Sequence, residues 1–318
     1  MPADLKAAGD IQQERGVLFP MSKTMRYLLF TFISAYILQL IACHDIALEN
    51  AGGRMEADNL IALCMFMPTI GALVAGADLR QFGWKPDVSR HIKLILLAWL
   101  LPTVTQLLGA ALYYGVFPED FDLTGIYLRE YDPEAFMELE SSGKPYVSYV
   151  IHEIFVSFAS PHILIAMLLG LGEEIGWRGF LFPRLKTRFG RIKGLLLGGA
   201  IHGAWHFPVM LLIGYEYGKE YIGAPLLGLF AFCLYTIGMG IVADFLYEKS
   251  DCIWLPALFH GAINSSFSPH IMDTCVHDER SIFGPVDIGL ISMIPQLLFA
   301  LNILYYENKR ERMELLQS

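Results

Sequence analysis

Charge is what this sequence has least of for its length. Asp, Glu, Lys and Arg make up 17% of its 318 residues, where a soluble domain averages about 25%. That deficit excludes an ordinary water-facing surface over most of the chain. Basic residues are the scarcer sign, 23 against 32 acidic, for a net charge of −9. The general positive footprint of a nucleic-acid binder is therefore missing, and no nucleic-acid partner is expected. Cysteine is scarce as well. Cys43, Cys64, Cys233, Cys252 and Cys275 show no CxxC spacing, which argues against a disulfide framework and a thiolate metal site. Low-complexity tracts and clear internal repeats are absent too.

What is abundant is apolar sequence. Hydrophobic residues reach 54% and mean hydropathy is +0.45. The excess falls in blocks at about 27–43, 59–78, 92–116, 161–182, 194–214, 222–246, 253–269 and 286–306. These lengths suit a lipid bilayer, which takes roughly 17–25 residues per helix. The sequence therefore predicts an all-α polytopic membrane protein of about eight transmembrane helices, a single integral membrane domain over 1–318. The first block is too long for a signal-peptide core and no small-residue cleavage site follows it, so it reads as a retained span behind a cytoplasmic tail at 1–25. With that tail inside, 17 basic residues fall in inner segments and five (Arg54, Arg129, Lys144, Lys219, Arg280) in outer ones, with Arg178 left inside a span. This bias fits eight crossings and both termini in the cytoplasm. Residues 117–160, acidic and aromatic, form an outer or interfacial segment. Ser160-Pro161 reads as an N-cap with proline at the first helical position, starting a helix that carries Glu173 and Glu174 near its middle.

Three polar groups interrupt the apolar blocks between 161 and 269. Glu173, Glu174 and Arg178 share one helix. Glu174 and Arg178 are four apart and can pair, while Glu173 points about 100° away, toward a cavity. Ionisable groups in lipid cost on the order of 2.5–3.5 kcal/mol each and mark function by default; the structural alternative is a buried ion-pair staple between helices. His202 and His206 lie four apart on the next block, without the glutamate of the HExxH pattern. His206 is the functional candidate, and His202 is equally well read as a packing residue. His260 and Asn264, again four apart, supply an imidazole and a neutral donor suited to an oxyanion; interhelical hydrogen bonding is the plainer role. At 1.5 Å per residue all three groups sit roughly 10–18 Å deep. Glu216 and Asp244 read as peripheral.

Together, Glu173-Glu174-x-x-x-Arg178, the segment ending at His206, and His260-x-x-x-Asn264 resemble the CAAX-protease and bacteriocin-processing family of intramembrane proteases, which includes the type II CAAX prenyl endopeptidases. The one departure is His202, where an aromatic residue is usual. The resemblance covers the fourth to seventh blocks. It implies an intramembrane endopeptidase acting on a membrane-associated protein or peptide. Glu173 and His206 would activate water, His260 and Asn264 would stabilise the oxyanion, and Glu174 and Arg178 would support the site. Zn²⁺ held by Glu173, His206 and His260 and a metal-free base with an oxyanion hole draw on the same residues. A non-catalytic scaffold or immunity protein of the same fold is the second reading. A proton-coupled transporter is the third, disfavoured because the polar residues cluster in one half.

Overall fold

The computed structural model describes residues 21–47, 59–159, 162–265, 274–275 and 279–317. Apart from one antiparallel bridge between Phe121 and Cys275, the regular structure among these residues is helical. Helix α1, Lys23–Ala47, shows why. Tyr27, Thr31, Ala35, Gln39 and Ala42 are buried, while Leu29, Ile33, Ile37 and Leu40 are exposed. Both sets recur at helical spacing, and the outward set is as apolar as the inward one. A helix hydrophobic all round belongs inside a large core or a membrane. The same apolar outer faces recur on α3 (Val88–Val116), at Leu96, Val104 and Leu108. Long apolar helices with lipid-suited outer faces make this an integral membrane protein.

Three helices among the described residues are long and apolar enough to cross a membrane: Lys23–His44, Val88–Val116 and Leu226–Ser250. A fourth candidate is the bent pair α9 (Arg191–Trp205) and α10 (Phe207–Ile213), which meet at 40°. Pro208 explains the break, since it brings no N–H to the helix and clashes with the turn before it. The other apolar blocks give shorter pieces. Helix α2, Met67–Val74, follows a helical turn at 59–64. The 161–182 block is divided. Its helix α7 runs His162–Glu174 and then widens into a π-turn, Ile175–Leu181, before α8, Phe182–Phe189. Glu173 and Glu174 thus close the α-helical part of this block rather than occupying its middle. Ser160 and Pro161, the expected start, lie outside the described residues, as do residues 1–20. The 253–269 block yields α12, Trp254–Asn264, and the last block is helical from Ile294, in α13, Ile294–Gln317. Between α3 and α7, the acidic segment folds into α4 (Ile126–Tyr131), α5 (Pro133–Ser142) and α6 (Tyr146–Ala159). Arg280 fastens its start, with Nη1 2.7 Å from Glu119 and 3.1 Å from Asp120.

The core is built where α7 packs on α12 and α9 packs on α11 (Leu226–Ser250). Glycine sets the first of these spacings. A Cβ at Gly261 would come within 2.6 Å of Met167 Cα, a backbone atom that cannot step aside. Gly261→Ala should therefore push α12 off α7 and destabilise the protein by about 1–3 kcal/mol, the usual effect of overpacking. A lower thermal midpoint in detergent would show it. An unchanged midpoint would mean the seam is looser than this.

A second set of polar residues holds the bundle together at the α8 end. Lys186 Nζ lies 2.9 Å from Asp244 Oδ1 and 2.6 Å from Glu248 Oε1, and Arg191 Nη2 lies 2.6 Å from Glu248 Oε2. Asp244, expected at the periphery, is 1% exposed. Because α8 packs along α9 and α9 along α11, Lys186 reaches across to the buried face of α11. The carboxylate is affordable there because it is paired.

Candidate active site

The two glutamates diverge as the one-residue offset dictates, and each finds different partners. Glu174 Oε1 receives Arg178 Nη1 at 2.8 Å, the i,i+4 pair, and His260 Nδ1 also at 2.8 Å. Both Glu174 and Arg178 are fully buried. Glu173 is 2% exposed. Its Oε2 accepts from Trp177 Nε1 at 3.1 Å and faces His202 Nε2 at 3.0 Å. Since a carboxylate only accepts, His202 presents its N–H there. Oε2 is thereby occupied by two donors. Oε1 remains, 3.9 Å from His260 Nε2, a gap of the kind a water bridges.

The π-turn matters to this arrangement. It starts directly after Glu174 and contains Trp177 and Arg178, so the residues that hold the two carboxylates sit on the widened turn. Short π segments of this kind recur at functional sites. The turn is also tightly seated: a Cβ on Gly176 would lie 2.5 Å from the Pro68 carbonyl carbon of α2.

The histidines arrive from two other helices. His202 on α9 stacks on Trp177, with ring centroids 5.0 Å apart, and lies 6.2 Å from the His260 ring. His206 caps the end of α9 at the bend into α10. Its Nδ1 donates to the His202 carbonyl at 3.2 Å, which fixes the tautomer and leaves Nε2 as the bare, basic nitrogen. The structure thus links Arg178, Glu174 and His260 by hydrogen bonds and sets Glu173 3.9 Å from the His260 ring nitrogen. His206 and Asn264 join them as walls of a shared cavity of about 440 Å³, which Glu173, His202 and His260 also line.

Sequence reasoning placed His206 beside Glu173 and left His202 undecided. In the structure it is His202 that bonds Glu173. The HxxxH spacing was the available signal, but which of two same-face histidines reaches a glutamate depends on the rotation of α9 against α7. Trp177 had a readable signal, being four residues after Glu173 on the same helix, and went unused. Glu216, expected at the periphery, lines the cavity from the turn after α10. Although exposed to the cavity, it is walled by protein, and that desolvation, followed by the like charge of Asp287, pushes its carboxyl up to about 8. The peripheral reading failed because the 40° bend turns α10 and the residues after it back over the cavity.

Among the described residues, no three His, Cys, Asp or Glu side chains converge to hold an ion. The Nδ1 atoms of His206 and His260 are engaged by the His202 carbonyl and by Glu174, which leaves Nε2 of each ring. What the donor set can do as arranged is take a proton at Glu173 Oε1, accept one at His206 Nε2, and offer an amide N–H from Asn264 to a developing negative charge.

Residues 155–266 match the family described as Rce1-like, type II CAAX prenyl endopeptidase. Over 105 residues the chain is 30% identical to CAAX prenyl protease 2 of Methanococcus maripaludis, an alignment covering 33% of this chain and 38% of the relative. The chain therefore spans well under half the length of that curated relative. The resemblance first read from the motifs is established over 155–266, a segment that contains Glu173, Glu174, Arg178, His206, His260 and Asn264.

Proposed function

We propose that this protein is an intramembrane endopeptidase that hydrolyses a peptide bond in a membrane-associated substrate, of the CAAX-type prenylated or bacteriocin-like class. The observation that carries the reading is the buried Glu173 carboxylate on the wall of a cavity that three histidines and Asn264 also line. The family match at 155–266 and the relative's name support it. In the proposed reaction a water sits between Glu173 Oε1 and His260 Nε2. Its proton passes to Glu173, with His206 Nε2 as the accessory acceptor, and its oxygen attacks the scissile carbonyl carbon. Asn264 and His260, the latter as an imidazolium that keeps Nδ1–H on Glu174 and offers Nε2–H, hydrogen-bond the resulting oxyanion. When the tetrahedral adduct collapses, the C–N bond breaks and the leaving nitrogen takes the proton from Glu173. The products are a carboxylate and an amine. Glu174 and Arg178 act through His260, holding its ring by Nδ1. No step here passes through a metal.

The proposal extends to topology. We read the chain as crossing the bilayer eight times with both termini cytoplasmic, supported by the 17-to-5 distribution of basic residues and the positive-inside rule.

The direct test uses purified protein in detergent, wild type beside Glu173→Ala and His206→Ala. Each is incubated with a farnesylated CAAX peptide and with a pool of unmodified membrane peptides, products are read by mass spectrometry, and bound metal is measured by elemental analysis. Cleavage by wild type alone supports the assignment. Equal cleavage by all three proteins overturns the site, and a wild type that cuts nothing overturns the activity.

His202 gives a finer check. Hydrogen bonds to charged groups contribute about 1.5–3 kcal/mol. His202→Phe, which installs the residue type usual for the family, should therefore lower kcat roughly 10- to 100-fold with KM nearly unchanged. A full-rate variant would make His202 a packing residue.

A further inference from the structure

One concave surface takes no part in the proposed chemistry. It is a groove of about 430 Å³ on the outside of α1, and none of its residues lines the active-site cavity. Arg26, Leu29, Phe30, Ile33 and Ile37 line it, joined by Val74, the last residue of α2. Steps of three and four residues put the α1 members on one face of the helix. That face is turned away from Tyr27, Thr31 and Ala35, which are buried, and its Leu29, Ile33 and Ile37 are exposed. Ser34 also lines the groove, but its hydroxyl donates to the Phe30 carbonyl at 2.6 Å, so its one donor is already used.

The groove is apolar along its length and charged at one end. Arg26 is the one ionisable residue among the described residues lining it. It is partly exposed, and among the described residues its side chain has no carboxylate partner. An arginine without a carboxylate is complemented by a phosphate, which accepts two parallel N–H bonds from the guanidinium fork. Depth agrees with this. From Arg26 to Ile37 the helix rises roughly 16 Å at 1.5 Å per residue, half of a hydrocarbon core ~30 Å thick. The groove is therefore as deep as one leaflet, with its cation at the headgroup end. On the topology proposed above that end faces the cytoplasm, the side on which the leaflet is negative.

We propose that this groove binds one anionic phospholipid, its phosphate on the Arg26 guanidinium and one acyl chain laid along Leu29, Ile33 and Ile37. The site is separate from the peptidase reading and stands whether or not the protein cleaves peptides.

The test offers purified full-length protein in detergent equal amounts of phosphatidylglycerol and phosphatidylcholine with identical acyl chains. Retained lipids are counted by native mass spectrometry for wild type, Arg26→Gln and Ile33→Trp. Wild type should keep one phosphatidylglycerol with a preference of about fivefold, the contribution of one cation at an anionic surface. Arg26→Gln should bring the preference to unity without losing phosphatidylcholine. Ile33→Trp should release the bound phosphatidylglycerol, because it fills the groove and leaves the charge in place; Ile33 is 57% exposed, so the larger ring should not disturb the fold. No preference in wild type, or the same preference in wild type and Arg26→Gln, overturns the site.

Cross-linking then locates the lipid. A phosphatidylglycerol with a photoreactive acyl chain should label the α1 face between Leu29 and Ile37. Labelling confined to other helices overturns the proposal. So does a photoreactive group at Leu29 that captures residues 1–20 or a second copy of the chain instead of lipid, since the groove would then be filled by protein.

Discussion

Glu173→Gln should cut peptide hydrolysis at least ~100-fold, within the range attributed to a positioned acid or base, and leave the thermal midpoint nearly unchanged. The change is one atom, and the site makes it decisive. Oε2 already accepts from Trp177 and His202. A glutamine must therefore put its oxygen there, because its NH₂ group would meet two donors. The NH₂ then occupies the place of Oε1, opposite His260 Nε2. An acceptor able to take a proton from water becomes a donor that cannot. Packing and hydrogen-bond count barely change, so the loss is one of chemistry. A glutamine variant that retains more than a tenth of the wild-type rate would remove Glu173 from the role of base.

Arg178→Met should have the largest effect on stability. Arg178 and Glu174 are both fully buried and bonded at 2.8 Å, and the guanidinium lies 4.8 Å over the Phe182 ring. Removing one partner of a buried pair leaves the other charge uncompensated, at about 3–5 kcal/mol. We expect a large drop in the unfolding midpoint, and loss of activity because Glu174 also anchors His260 Nδ1. The double variant Glu174→Gln/Arg178→Met should recover much of the stability, since it removes both charges while glutamine still accepts from His260. With Glu174→Gln measured alone as well, the departure from additivity is the coupling energy of the pair. If the double variant is less stable than Arg178→Met alone, the damage comes from lost packing rather than an orphaned charge.

These expectations show how far residue spacing reaches. The Glu174–Arg178 contact was legible because i,i+4 geometry is local to one helix. The convergence of Glu173 and His260 was legible because few polar residues interrupt the apolar blocks, and each had to face inward. Relations that depend on how one helix rolls against another were not. The sequence allowed either His202 or His206 to meet Glu173, and the roll of α9 decided it. The π-turn at Ile175–Leu181 was also hidden, since its residues are as apolar as those of any buried α-helix and the groups it packs against, Pro68 and Phe82, lie about a hundred residues away in the chain. Length alone overstated the later blocks: 253–269 becomes an 11-residue helix. Glu216 was misjudged for the opposite reason, because a loop residue is placed by the bend before it rather than by its neighbours in sequence.

Glu173 meets His202 across 29 residues of chain and Glu174 meets His260 across 86, and Gln39, which helps wall their cavity, precedes them by more than a hundred. During biosynthesis the wall is made first and the proton-handling groups follow in order, Glu173 before either histidine it meets. A nascent chain that has emerged only as far as α11 carries its glutamates without His260, so Glu174 has one partner fewer and the water between Glu173 and His260 has no second anchor. On the proposed function, the site is incomplete until α12 has docked, so assembly of the bundle and assembly of the proton-handling groups are one event.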